Sequence, residues 1–354
     1  MIEKQLKKWF SQRLLDWHQK ANTRSMPWKG IKDPYRIWLS EVILQQTRVQ
    51  QGMSYYQRFT EEYPNIHALA AANEKEVFKL WEGLGYYSRC RNLISTAKTI
   101  SGDLKGQFPR TEEGLLALKG IGKYTAAAIG SFAFGLPLAV VDGNVVRVLA
   151  RFLGIHDMVD QPAVKKKFEL LAAELLGKAD PALYNQAIMD LGATVCKPGM
   201  PHCDICPLSK KCHAFEHSEQ TQLPAKQKKI RIRSRFLYYL ILSAGTSVAI
   251  RQRKSKDIWQ DLHEFILMEK DEPLEEQDLN KVSKWGFNVS GEKLLGVSEV
   301  FTHQLTHQKI TSRFVHIRVQ HKFAIDGFQW VSHTKMKTLA FPRMISRYLD
   351  SHFL

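Results

Sequence analysis

Two carboxylates in separate parts of this 354-residue chain could serve as an acid and a fixed anion. The first is Glu41, in DPYRIWLSEVILQQTRVQ. On a helix its neighbours at i−4, i−3, i+3 and i+4 are Ile37, Trp38, Leu44 and Gln45. That largely apolar face desolvates the carboxyl and should raise its pKa toward neutrality, leaving a proton on it. The second is Asp142, where the apolar run of PLAVVDGNVVRVLARFLG turns at Gly143 into a helix expected to be capped by Asn144. An Asp at this place is by type a turn or cap residue; the functional reading is a carboxylate beside a helix N-terminus, kept ionised by the dipole. A protonated Glu paired with an ionised Asp is the arrangement that breaks glycosidic bonds, the anion facing a developing sugar cation.

Two further segments carry chemistry. In LKGIGKYTAAAIGSFAF, residues 118–134, Gly120-Ile121-Gly122 joins two helices. Glycines at both ends of a tight turn allow close backbone approach, and the amides beyond them favour a phosphate. Ile121 would anchor the turn in the core. The segment CKPGMPHCDICPLSKKC holds four of the five cysteines, Cys196, Cys203, Cys206 and Cys212, spaced Cys-x6-Cys-x2-Cys-x5-Cys. Zinc sites usually show two Cys-x-x-Cys pairs, whereas one pair flanked by single cysteines can give one thiolate to each of four irons. The spacing favours iron–sulfur and leaves zinc open. His202 and His213 are expected to be solvated or to face DNA, and Cys90, outside the loop, to be a buried thiol.

Composition sets the context. Lys and Arg total 51 against 35 Asp and Glu, a net charge of +16, so a polyanion such as a phosphate backbone is the expected partner. The charged start MIEKQLKKWF is no secretory leader and no stretch approaches a membrane span, so a reducing cytosol and no membrane are expected.

The elements that must position these residues differ between the two halves. Helical spacing runs through Leu6, Trp9, Phe10, Leu14 and Trp17. A helix is expected over residues 37–49, another after an Asn73/Glu76 capping box with Gly83 and Gly85 stopping it, and others from Pro162 to near Gly177 and from Pro181 into Cys196. SEQTQLPAKQKKIRIRSR is polar and basic and reads as a linker. Beyond it strands are expected at residues 236–242, 247–251, 297–301 and 314–319, with an amphipathic helix starting at Pro342, an α+β pattern.

The helix–hairpin–helix with VDGN downstream and the cysteine loop after it resembles the endonuclease III superfamily of DNA glycosylases. Within it, LSEVILQQTRV, GLGYYSR, GIGKYTAAAI and NQAIMDLGATVC resemble the adenine DNA glycosylases of the MutY type, over about the first 215 residues. The resemblance implies an all-α helix-hairpin-helix glycosylase domain with an iron–sulfur loop over residues 1–220, a basic linker over 221–235, and a smaller α+β MutT-like (Nudix-like) domain over 236–354. It implies a 4Fe–4S cluster on Cys196, Cys203, Cys206 and Cys212. It also implies base excision repair of adenine opposite 8-oxoguanine or guanine in double-stranded DNA, by a monomer in the bacterial cytoplasm, associated with the nucleoid.

Residue by residue, Glu41 matches the acid, Asp142 the stabilising carboxylate, and Tyr124 and Asn144 supporting positions. Arg24, Trp28 and Gln186 match the adenine pocket. Lys29 stands where the family commonly has Arg, and an ammonium cannot make a bidentate contact. Gln46 and Tyr86 match residues that wedge into the stack. Thr47 and Leu84 belong to the same DNA-binding motifs, and Gly120 and Gly122 to the hairpin. Tyr124 occupies the place of the lysine in strand-cutting relatives, so a monofunctional enzyme leaving an abasic site is implied. The hydrolase signature Gly-x5-Glu-x7-Arg-Glu-x2-Glu-Glu is absent from the second half, which marks it as a recognition module. Phe301, Thr302 and His303 match a turn that contacts 8-oxoguanine, with Thr302 in place of Ser.

Overall fold

The computed structural model describes residues 2–226, 232–279, 285 and 293–352. Two compact units are present, Met1–Ala71 with Asn92–Lys228 and Ala72–Arg91 with Lys229–Leu354. The helices in chain order are α1 (Lys4–Lys20), α2 (Pro34–Leu44), α3 (Val49–Glu62), α4 (Ile66–Ala71), α5 (Glu74–Trp81), α6 (Ser88–Ser101), α7 (Glu112–Leu116), α8 (Lys123–Phe134), α9 (Gly143–Leu153), α10 (Pro162–Leu176), α11 (Pro181–Thr194) and α12 (His213–Glu216). Proline at the first helical position opens α2, α10 and α11, where its missing N–H is no loss. Asp33 and Asp180 cap two of these through Tyr35 N and Leu183 N.

The expected helix over 37–49 is instead two helices. Gln46 has φ +56°, a left-handed conformation that breaks the α-helical ladder and turns the chain from α2 into α3. Gly52 lets the two helices close up, since a Cβ there would lie 2.7 Å from Leu44 Cδ2. Asn73 caps α5 as expected, accepting from Lys75 N. At α9 the cap is Asp142, not Asn144. Asp142 accepts from Asn144 N and Val145 N, because its side chain precedes the first free amides of the helix.

Burial of α1, α9, α10 and α11 makes one core, with Phe10, Leu14, Val148, Phe168, Tyr184 and Ile188 at its centre. Asn185, fully buried on α11, donates to Leu138 O at 2.8 Å and accepts from Val140 N at 3.0 Å. These bonds hold the extended run that leads into Asp142. α11 also comes close to the α9 N-terminus at Gly192, where a Cβ would lie 2.6 Å from Asn144 Cβ and 3.1 Å from Asn144 O.

Among the described residues, the second unit is built on an eight-stranded mixed sheet. Its strands are β1 (Arg233–Ala244), β2 (Ser247–Gln252), β3 (His263–Glu264), β4 (Ile266–Lys270), β5 (Lys293–Val297), β6 (Phe301–Gln304), β7 (Gln308–Arg318) and β8 (Gln329–Ser332). The long central pair, β1 and β7, is parallel, with Tyr239 opposite Phe314; the other pairs are antiparallel. Short helices α13 (Glu276–Leu279) and α14 (His333–Met336) and the amphipathic α15 (Arg343–His352) complete it. The strand expected over 297–301 is broken: Ser298 accepts Arg313 Nε on its carbonyl and Phe314 N on its hydroxyl, and the chain leaves β5 there before re-entering as β6.

The units also differ from the expected division at 221–235. Residues 72–91 join the second unit, because Lys79 Nζ donates to Leu339 O (3.0 Å) and Glu82 Oε1 accepts from Phe341 N (3.0 Å) and Ser346 Oγ (2.5 Å). Of the expected linker, residues 227–231 lie outside the described residues.

Gly192→Ala should lower unfolding stability by about 1–3 kcal/mol in urea melts, through overpacking of α11 on the α9 N-terminus. A loss below about 0.5 kcal/mol would show that this contact yields freely.

Candidate active site

Glu41 lies in the middle of α2, where every residue from 37 to 43 is buried. Its own exposure is 7%, and desolvation lifts its pKa from the ordinary 4.5 to about 7. The nearby Asp142 charge adds to the rise, while a hydrogen bond donated by the Tyr124 hydroxyl opposes it. Tyr124 sits in the first turn of α8, and burial with the two carboxylates pushes its phenol well above its ordinary value. The preceding residue, Lys123, points elsewhere: it is exposed and its Nζ lies 2.9 Å from Glu169. Consecutive helical residues diverge by about 100°, which carries the Lys123 ammonium away from the Tyr124 side.

Asp142 is held by three donors, Asn144 N (2.9 Å), Asn144 Nδ2 (2.7 Å) and Val145 N (2.8 Å). Asn144 in turn accepts Arg147 Nη2 at 2.8 Å, and the same guanidinium bonds Gly192 O and Cys196 O. One turn on, Arg151 reaches Cys196 Sγ (3.3 Å), Lys197 O and Leu223 O. Both arginines are buried, and neither was singled out from the sequence. Their signal was legible: two arginines four apart on a helix whose other residues after Asn144 are Val, Leu, Ala and Phe.

A cavity of about 540 Å³ opens over these groups. Of the residues singled out from the sequence, nine line it: Arg24, Trp28, Lys29, Glu41, Thr47, Tyr124, Asp142, Asn144 and Gln186. Trp28 is wedged edge-on against Tyr56 at 5.1 Å. Behind the wall lies a residue that sequence reasoning missed, Asp190, whose side chain is wholly buried. It accepts from Arg24 (2.8 Å), Lys29 (3.1 Å), Asn22 (2.7 Å) and Gln186 (3.0 Å). An acid at i+4 from Gln186 inside the apolar NQAIMDLGATVC was the available clue.

The other residues lie outside this cavity's lining. Gln46 is exposed on its left-handed turn. At the hairpin, Gly120 needs its positive φ of +78°, and a Cβ would strike Asn92; Gly122 faces open space, leaving the first amides of α8 accessible. Ile121 is buried as expected. Within the second unit, Leu84, Tyr86 and His303 line a separate cavity of about 470 Å³, with Trp259, Thr306 and Arg343. Tyr86 is also left-handed (φ +48°), and its hydroxyl is 2.6 Å from Thr306 Oγ1. Phe301 and Thr302 are not in that lining. Residues 301–304 are strand rather than turn, and alternation sends Phe301 into the core against Phe314 and Tyr348 while Thr302 faces solvent. Of the four loop cysteines, Cys196 follows the C-terminus of α11, Cys203 and Cys206 lie in the loop beyond it, and Cys212 is the N-cap of α12. Amides of Leu208, Ala214 and Phe215 donate to Cys206 and Cys212.

Residues 39–174 match the HhH-GPD superfamily of base excision DNA repair proteins, and residues 237–351 match the NUDIX domain, in line with the two folds expected. An adenine DNA glycosylase of Buchnera aphidicola subsp. Schizaphis graminum is 32% identical over 298 residues, covering 84% of this chain and 85% of its own. A thermostable thymine-DNA glycosylase superposes with TM-score 0.56 at 30% identity, over 60% of this chain and 98% of that one. Endonuclease III, trapped as a covalent intermediate with DNA, shares the fold with TM-score 0.53 at 22% identity, over 62% and 99%.

Because Glu41 binds its proton more tightly folded than unfolded, its contribution to stability is complete below pH 4.5 and is lost as pH rises through 7. Glu41→Gln should therefore match wild type near pH 4.5 and exceed it by about 2–3 kcal/mol at pH 8 in denaturant melts. A pH-independent difference would contradict the buried, proton-bearing carboxyl.

Proposed function

The chain belongs to the adenine DNA glycosylase family, base excision repair enzymes that remove adenine, and on that premise we propose that it excises adenine opposite 8-oxoguanine or guanine in double-stranded DNA without cutting the strand. The observation that carries the site assignment is the meeting of both carboxylates and seven other pocket residues around one cavity, with Glu41 buried and raised to about 7.

A base can reach this cavity only by leaving the stack. Glu41, protonated, donates to a ring nitrogen of the adenine; the glycosidic bond then breaks with its electron pair going to the base, and a cationic sugar is left. Asp142 is already fixed by three donors, so no reorganisation is needed for it to stabilise that cation. Glu41, now a carboxylate, takes a proton from the water that adds to the sugar. Tyr124 keeps the Glu41 carboxyl oriented through both steps. Asp190 holds Arg24, Lys29 and Gln186 as the base-binding wall.

The hydrolytic, non-cutting reading rests on the group that the hairpin helix presents beside the two carboxylates. Tyr124 is a phenol and forms no imine, Lys123 is paired with Glu169, and the Lys29 ammonium is committed to Asp190 and Arg24 O. Reading of the opposite base belongs to the second unit's cavity, where Tyr86, Thr306 and His303 offer polar atoms. The fit of the cysteine loop to a 4Fe–4S cluster rests on the amide and Arg151 donors to sulfur. Bound to Cys196, Cys203, Cys206 and Cys212, the cluster would cross-link the loop between the end of α11 and the start of α12. A monomer in the bacterial cytoplasm, gathered on the nucleoid by its +16 charge, completes the proposal.

Single-turnover base release from duplexes holding adenine opposite 8-oxoguanine, guanine and thymine tests this reading. The first two should release adenine, leave strands intact until alkali, and give no borohydride-trapped adduct. Equal release opposite thymine, or efficient trapping, would overturn it. Glu41→Gln should bind the 8-oxoguanine duplex nearly as wild type while losing at least about a hundredfold in excision, and a loss under tenfold would remove Glu41 as the acid.

A further inference from the structure

Outside both cavities, His156, His213 and Glu219 bring three ligand atoms to within 4.8 Å of one another. Glu219 Oε2 lies 3.0 Å from His156 Nε2 and 3.3 Å from His213 Nε2, so both imidazoles aim the same nitrogen at one carboxylate. The three residues come from separate places: the turn after α9, the first residue of α12 and the chain beyond it. Each is fixed from behind. His156 Nδ1 is 3.1 Å from Gly154 O; donation there leaves the Nε2 lone pair directed at the group, as metal-bound histidines are oriented.

His213, expected to be solvated or to face DNA, is partly exposed. Its ring stacks on His217 at 4.1 Å and presses onto Gly154, where a Cβ would fall 2.5 Å from the ring. Gly154 has φ +65°, so this α9 C-cap needs glycine for its conformation as well as for the room it leaves. Glu219 is set by its own amide, which donates to Ala214 O at 2.8 Å, and by the amides of Gln222 and Leu223, which donate to its carbonyl.

We propose that His156, His213 and Glu219 form a Zn²⁺ site, with water completing a tetrahedral set. Two imidazoles and one carboxylate are a zinc donor set, and the exposure of His156 leaves solvent access for the remaining position. The ion would tie the end of α9 to the chain leaving the cysteine loop. Arg151, three residues before Gly154, already contacts Cys196 Sγ at the start of that loop. The site is distinct from the four cysteines and takes a hard-to-borderline ion on N and O donors rather than on thiolates.

The test is equilibrium dialysis of the full-length purified protein against buffered Zn²⁺, with zinc and iron counted in the same samples by elemental analysis. One zinc per chain should bind while iron content stays constant. His156→Ala and Glu219→Gln should each weaken zinc binding by at least about tenfold. The exposed His156 makes its variant a mild one, and unchanged circular dichroism and iron content would show that it folds. No zinc above the buffer level, equal zinc retention in both variants, or zinc gained only as iron is lost would each overturn the site. In the first case the trio is a hydrogen-bonded histidine–glutamate cluster only.

Discussion

The active-site geometry turns on the desolvation of one carboxyl group. Glu41 could have been placed on an exposed helix face at no cost, where its pKa would be that of any surface glutamate. Instead α2 is buried around it, and the apolar residues that do this are also the ones that seat α2 against α3 and α8. Losing water raises the pKa to about 7, which places both protonation states within reach of neutral solution. A group that must give a proton and then receive one is most effective there.

Asp142, the second carboxylate, is treated in the opposite way. Two backbone amides and the Asn144 side chain satisfy it, at the N-terminus of α9 where the helix dipole favours a negative charge. The same helix carries Arg147 and Arg151, whose guanidinium groups bridge Asn144, the α11 backbone and the first loop cysteine. The anion and the cysteine loop are therefore two ends of one buried hydrogen-bonded strut. Asp190 does a parallel job on α11 for the cationic wall of the cavity. Asp190 is wholly buried and needs such partners, since an unpaired buried charge would cost several kcal/mol.

Much of this was legible in the residues. The apolar neighbours of Glu41, the turn at Gly143 and the glycines of the hairpin follow from helical periodicity and backbone sterics. Helix starts at Pro162 and Pro181 follow from proline's missing N–H. What was not legible depends on distant contacts. The left-handed backbone at Gln46 and Tyr86 is imposed on residues with no intrinsic preference for it. Asn144 resembled a cap by residue type, yet the amide accounting makes Asp142 the cap. The grouping of residues 72–91 with the second unit depends on Lys79 and Glu82 finding backbone partners about 260 positions away, which no local pattern encodes. Phe301 illustrates a smaller error of the same kind: whether it faced the core depended on strand register.

The most direct measurement of the central claim is the protonation of Glu41 itself. Difference infrared spectra of the ¹³C-glutamate-labelled protein against Glu41→Gln isolate one carboxyl stretch. A protonated C=O band should be present at pH 6 and titrate away with a midpoint near 7. A carboxylate already fully ionised at pH 6 would contradict the claim that burial, and not substrate binding, keeps the proton on Glu41.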